Sequence, residues 1–110
     1  MNYASDNTIS RRMIKHFIDL LIMKYLKRHK QLANGYELIK YLHKEFGILL
    51  SPGTVYSAIY SLERQGLIKR ENNTSNRMYK LTSTGEEMID NACKTEDQIQ
   101  LIVSRIFSEA

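Results

Sequence analysis

The segment Ser51-Pro-Gly-Thr-Val-Tyr-Ser-Ala-Ile-Tyr-Ser-Leu-Glu-Arg-Gln-Gly66 carries the polar groups whose types and spacing point most directly to a chemistry. Read as a helix, it sets Val55, Ile59 and Leu62 on one stripe with Ala58 beside them, and turns Gly53, Thr54, Ser57, Tyr60, Ser61 and Arg64 elsewhere. A small, hydroxyl-bearing face with a cation and almost no acid suits close approach to phosphates and base edges in a DNA major groove. Glu63 is the exception at its flank. The expected roles place Thr54 and Ser57 near base edges, with Gly53 beside them. Ser51, Tyr36, Tyr56, Arg77 and Lys80 are expected near the DNA backbone, and Tyr60 shares that surface. Catalytic chemistry finds no comparable set. His16, His29 and His43 are far apart in sequence, Cys93 has no second cysteine to complete a zinc site, and no Gly-rich loop follows a strand to cradle a phosphate. The sequence therefore gives no support to an enzyme, and no metal or cofactor is expected.

The elements that must position these residues are marked by their ends. Ser51 can accept a hydrogen bond from a first-turn amide, Pro52 fits the first helical position, and Gly66 supplies a left-handed stop. Upstream, Asn34 and Glu37 have the spacing of a capping box, and the helix they open runs to Gly47 with Ile39, Leu42 and Phe46 as its core stripe. An apolar link, Ile48-Leu-Leu50, packs the turn between the two helices. A first long helix is expected from Ser10 to about His29, with Ile14, Phe17, Ile18, Leu21, Ile22 and Tyr25 on its apolar side. After Gly66, Leu67 to Glu71 and Arg77 to Thr82 read as two strands joined by the polar run Asn72 to Asn76. In the second strand Tyr79 and Leu81 alternate with Met78, Lys80 and Thr82, so one face can cover the core while Lys80 stays in water. Helix, turn, helix and hairpin predict a mainly α chain with a small β-hairpin, a winged helix-turn-helix. Arg77, at the end of the hairpin tip, has two readings: a phosphate contact, or a charge that protects an exposed edge strand.

Four blocks of these residues also carry a family resemblance. Asn34-Gly-Tyr-Glu-Leu, Leu50-Ser-Pro-Gly-Thr-Val-Tyr-Ser-Ala-Ile-Tyr-Ser-Leu-Glu, Gly66-Leu-Ile-Lys and Tyr79-Lys-Leu-Thr-Ser-Thr-Gly85 resemble, in order and spacing, the PadR-like winged-helix transcriptional regulators. The resemblance covers roughly the middle half of the chain, and the Ser-Pro-Gly-Thr-Val-Tyr block is its most specific part. It implies a dimeric DNA-binding repressor of the short form, in which a single C-terminal helix makes the dimer. It implies no particular effector. This sequence departs from the pattern at Asn34, where many members have histidine, and at Asn72 to Asn76, which lacks the Gly, Arg and Pro often found at the wing tip.

The formal net charge of +4 conceals a division. Residues 1–82 hold 14 Lys and Arg against 6 Asp and Glu, whereas residues 83–110 hold 2 against 6. Such polarity draws the basic part toward nucleic acid and turns the tail away from phosphate. Within the basic part, Lys24, Lys27, Arg28 and Lys30 sit where cations favour a helix C-terminus. Arg11 and Arg12 lie at the less favourable end of a helix, which calls for a partner, a phosphate or an acidic neighbour.

The tail reads as one helix over 83–110, capped by Thr82, Ser83 or Thr84. Ile89, Ala92, Ile99, Val103 and Ile106 follow three-four spacing, with Gly85 and Glu96 filling the same register, so a seam exists but is broken in the middle. Pairing with the same helix of a second chain is expected, with part of the first helix joining the interface; the competing reading is a tail folded back on its own domain. Lys94-Thr-Glu-Asp-Gln98 interrupts the seam, and a solvated kink is expected there in preference to an effector pocket. The organisation expected is a flexible terminus over 1–9, a winged-helix domain over 10–82 and a dimerisation helix over 83–110. The richest apolar stretch, Phe17 to Leu26, is broken by Asp19 and Lys24, no secretory signal is visible, and Cys93 is alone, so a cytoplasmic protein is expected. Double-stranded DNA and a second copy of the chain are the expected partners. A nonspecific architectural DNA binder and a protein-interaction module are the competing readings, the latter requiring apolar anchors that Thr54, Ser57 and Ser61 do not provide.

Overall fold

The computed structural model describes residues 8–29, 32–71 and 77–109. They form, in order, α1 (Thr8–His16), α2 (Ile18–His29), α3 (Gly35–Phe46), α4 (Pro52–Arg64), β1 (Ile68–Glu71), β2 (Met78–Leu81), α5 (Ser83–Cys93) and α6 (Glu96–Phe107). Residues 1–7 of the expected flexible terminus and the wing tip Asn72 to Asn76 lie outside the described residues. Thr8 and Ile9 already belong to α1.

The local signals act where their chemistry requires. The Asn34 side chain accepts from the Glu37 amide at 2.8 Å, and Glu37 Oε1 accepts from the Asn34 amide at 3.2 Å, a complete capping box. Gly47 ends α3 in the left-handed region at φ 65°, and Gly66 takes φ 76° just beyond α4. Ser51 Oγ accepts from the Thr54 amide at 3.2 Å to open α4. Thr82 does three things at once. Its Oγ1 caps α5 by accepting from the Gly85 amide at 3.0 Å, and it lies 2.7 Å and 3.1 Å from the Gly66 and Leu67 carbonyls to which it can donate. The end of the hairpin is thereby tied to the end of α4.

The core gathers around α2, which packs against α3, α4, α5 and β2. Ile22, Met23 and Leu26 from α2 meet Leu38 and Leu42 from α3, Val55, Ile59 and Leu62 from α4, Ile68 from β1 and Tyr79 from β2. The expected helix over Ser10 to His29 is divided at Phe17, although Phe17 N still bonds Met13 O and Leu21 N bonds Phe17 O, both at 3.0 Å. The buried stripe also differs from the expected one. Phe17 is exposed and Leu21 half-buried, while Met23 and Leu26 join the expected Ile18 and Ile22 inside, because α2 is enclosed on several sides. In α3, likewise, Leu38 is buried and Ile39 half-buried. β1 and β2 pair antiparallel with Ile68 opposite Leu81 and Arg70 opposite Tyr79, and Ala33 extends β2 through a bridge to Tyr79.

The tail is two helices and not one. Lys94 and Thr95 form a turn in which their amides bond Asn91 O and Ala92 O, and Thr95 Oγ1 donates to Ala92 O at 2.7 Å. The break falls at the start of the charged run where a kink was expected, but it is complete enough to end α5. The two halves then have different fates. α5 belongs to the domain: Ile89 is buried, and Asp90 forms an ion pair with Lys27 on α2. α6 buries none of its residues and contributes to a molecule elongated to 54 × 29 × 23 Å. No described helix is long and apolar enough to cross a membrane.

Candidate nucleic-acid interface

α4 carries its apolar stripe inward and leaves its first two turns uncovered. Ser51, Gly53 and Ser57 are exposed, and Thr54 is half-buried. Ser51 Oγ also lies 2.9 Å from Thr54 Oγ1, so the two hydroxyls hold each other at the helix start. Among the described residues, nothing lies within 4 Å of where a Cβ on Gly53 would stand, and its φ is not positive. Among the described residues, neither packing nor backbone conformation requires glycine there.

Beside the helix start runs a strip of aromatic and basic side chains drawn from three elements. Tyr36 on α3 is 63% exposed, with Lys40 Nζ 5.3 Å from its ring centroid. Tyr56 lies across the beginning of α3 so closely that a Cβ on Gly35 would overlap its ring. Its ring centroid is 6.0 Å from that of Tyr60, and Arg77 Nη1 in turn donates to Tyr60 Oη at 3.4 Å. Tyr56, Tyr60 and Arg77 are thus linked in a row, Tyr56 and Tyr60 half-buried, and Tyr36 follows the Gly35 that Tyr56 covers. The acid at the flank of α4 is accounted for as well, since Glu63 Oε1 accepts from Arg70 Nη2 at 3.4 Å.

Lys80 is not brought into this strip. It sits on the hairpin face away from the core, next to Lys69 across the ladder, and is paired with Glu71. The hydrogen bond and charge of Lys80 hold the Glu71 carboxyl below its ordinary pKa. Tyr79, on the other hairpin face, is fully buried; its hydroxyl finds no hydrogen-bond partner among the described residues, and burial pushes its pKa up.

The expected dimer residues separate as the tail does. Ile89 is 3% exposed in the core of its own chain, which corrects its placement at the seam: α2 already covers it. Ala92 and Ile99 line a groove of about 250 Å³ against Phe17, Leu20 and Leu21. Val103 and Ile106 line a cavity of about 410 Å³ against Ile9, Met13 and Phe17. Phe17 lines both hollows, which are mainly apolar, with Arg12 and His16 in the lining of one and Lys24 and Glu96 in that of the other. Leu101, Ile102, Ile106 and Phe107 are each more than half exposed on α6.

Three positioning features differ from what the sequence suggests or have no signal in it. Gly85 reads as a filler of the seam register, yet a Cβ there would overlap the Leu67 carbonyl oxygen, so it is the point where α5 closes on the α4–β1 junction. Gly35 is explained only by Tyr56, which is distant in sequence. Arg11 finds a carbonyl in place of the phosphate or acid expected of it, donating to Leu49 O at 3.0 Å.

Comparison with known proteins agrees with this geometry. The sequence model of the transcriptional regulator PadR-like family matches residues 22–91. A transcriptional regulator from Clostridium thermocellum is similar at 22% identity and a TM-score of 0.74, over 88% of this chain and 96% of that one. A PadR family transcription regulator from Clostridium difficile is similar at 26% identity and a TM-score of 0.69, over 84% and 99% of the two chains. Bacillus subtilis PadR, solved in complex with operator DNA, is similar at 22% identity and a TM-score of 0.60, over 69% of this chain and 46% of that one. No curated protein matches the chain significantly. With its capped helix pair, its hairpin and a family match over more than half its length, the chain belongs to the PadR-like family of transcriptional regulators.

Proposed function

We propose that this protein is a cytoplasmic repressor that binds a pseudo-palindromic operator as a homodimer, each copy placing the first turns of α4 in a major groove. The observation that carries the reading is the open, hydroxyl-lined start of α4, where Gly53 has space around it among the described residues. Thr54 and Ser57 are assigned to base edges; Ser51, Tyr36, Tyr56 and Arg77 are assigned to the backbone, with Tyr60 holding Arg77. Lys80 is a more distant backbone contact, reached only if the DNA extends past the wing. Operator binding by the similar Bacillus subtilis protein supports DNA as the partner. The dimer reading rests on the apolar side formed by α1 and α6, with Ala92, Ile99, Val103 and Ile106 at its seam, because a domain this small leaves that surface uncovered. Twofold symmetry then sets two α4 helices about one DNA turn apart, roughly 34 Å.

The double variant Thr54→Glu, Ser57→Glu tests the assignment. Sequence-specific DNA binding should fall by at least about a hundredfold, as both base-facing contacts are lost and two carboxylates are set in the groove among the phosphates, while the thermal midpoint and the oligomeric state hold. Retained binding with both substitutions in place would show that another surface reads the DNA.

A further inference from the structure

Successive side chains on an α-helix turn by about 100°, so Arg11 points roughly 200° away from both Ile9 and Met13. Ile9, Met13 and Phe17 face Val103, Ile106 and Phe107 of α6 across the larger apolar cavity. Arg11 reaches the other way, and its Nη1 donates to the Leu49 carbonyl at 3.0 Å across 38 positions of sequence. That carbonyl lies in the turn between α3 and α4, two residues ahead of the Ser51 cap. The turn is itself seated in the core, since Ile48 and Leu50 are 2% and 4% exposed. The Leu49 side chain, by contrast, is exposed and does not anchor its own carbonyl. A cation in the first turn of α1 works against the helix dipole, and the carbonyl supplies the compensating negative end.

We propose that Arg11 is a positioning residue that fixes the spacing between the two DNA half-sites. The assignment rests on the dimeric, DNA-binding reading above. α1 meets the second copy through its apolar side and holds the turn before α4 through Arg11, so the bond restrains how α4 sits relative to the twofold axis. An added base pair turns one half-site by roughly 35° and moves it roughly 3.4 Å, which a restrained pair of recognition helices cannot follow. With the bond gone, α1 and α4 can shift against each other and follow altered spacings.

The test uses the full chain, first to select a binding site from random DNA and then to bind that site with one base pair added or removed at its centre. Wild type is expected to lose at least about tenfold in affinity on either change, and Arg11→Ala less than about threefold, with the dimer intact by sedimentation. Arg11→Lys keeps a donor and should restore part of the spacing penalty. A salt series distinguishes positioning from phosphate contact: the slope for Arg11→Ala should equal that of wild type, whereas a lost phosphate contact lowers it by about 0.9. Equal spacing penalties in wild type and Arg11→Ala, or a lowered salt slope, overturn the assignment and leave the DNA-binding reading standing. A wild type that selects no inverted repeat overturns the dimeric-operator reading, and this assignment with it.

Discussion

Gly53 separates what the fold needs from what the function needs. A glycine near the start of a helix costs stability because it leaves the unfolded chain more freedom, and at Gly53 no close approach by the described residues offsets that cost. Gly53→Ala should therefore raise stability by about 0.5 kcal/mol in urea unfolding, yet weaken DNA binding by roughly tenfold, because the added methyl holds the backbone away from the duplex. Gly85 is the opposite case. Gly85→Ala pushes a methyl into the Leu67 carbonyl and should cost about 1–3 kcal/mol by the same measurement. At Tyr79 the buried hydroxyl finds no partner among the described residues, so Tyr79→Phe should leave stability unchanged or raise it by about 1 kcal/mol. The residue scale is where the sequence was least legible. The outward-facing hydroxyls of α4 could be read from helical spacing alone, but Gly35 and Gly85 owe their identity to Tyr56 and Leu67, backbone and ring approaches that no periodicity reports. Ile89 was misplaced for a related reason. Its spacing matches the seam, and only the packing of α5 on α2 shows that its own chain covers it.

At the scale of elements, the ends of α3 and α4 were legible because caps are local chemistry, settled by residues three positions apart. The breaks were less so. Phe17 carries no helix-stopping residue type, and α1 and α2 divide there without a proline or glycine to announce it. The charged run after Cys93 did announce a disturbance, but the amide bonds that close it at Lys94 and Thr95 make it a helix end and not a bend. The hairpin is held partly by charge, and its pH dependence follows. Glu71 is depressed by Lys80, so the pair stabilises the folded state at neutral pH and that contribution disappears as the pH falls through the lowered Glu71 pKa. Glu71→Gln should accordingly lower the thermal midpoint at about pH 7, and the difference from wild type should shrink as the pH falls through the lowered Glu71 pKa.

For the whole molecule, the basic and acidic parts of the sequence map onto different elements. Residues 8–29, which form α1 and α2, hold 6 Lys and Arg against 1 acid, residues 34–81, with α3, α4 and the hairpin, hold 7 against 4, and residues 83–110, with α5 and α6, hold 2 against 6. Ile106→Glu places a charge in the apolar side formed by α1 and α6 and should shift the protein toward monomer in sedimentation equilibrium, weakening dimerisation by at least about tenfold. The central claim, that the α4 surface reads DNA sequence, is tested most directly by fluorescence anisotropy of the purified protein with the DNA upstream of its own gene. Scrambled competitor and a salt series complete the measurement. The account predicts binding that weakens with salt but survives scrambled competitor. Equal binding to both DNAs at every salt concentration, or no binding at low salt, would contradict it.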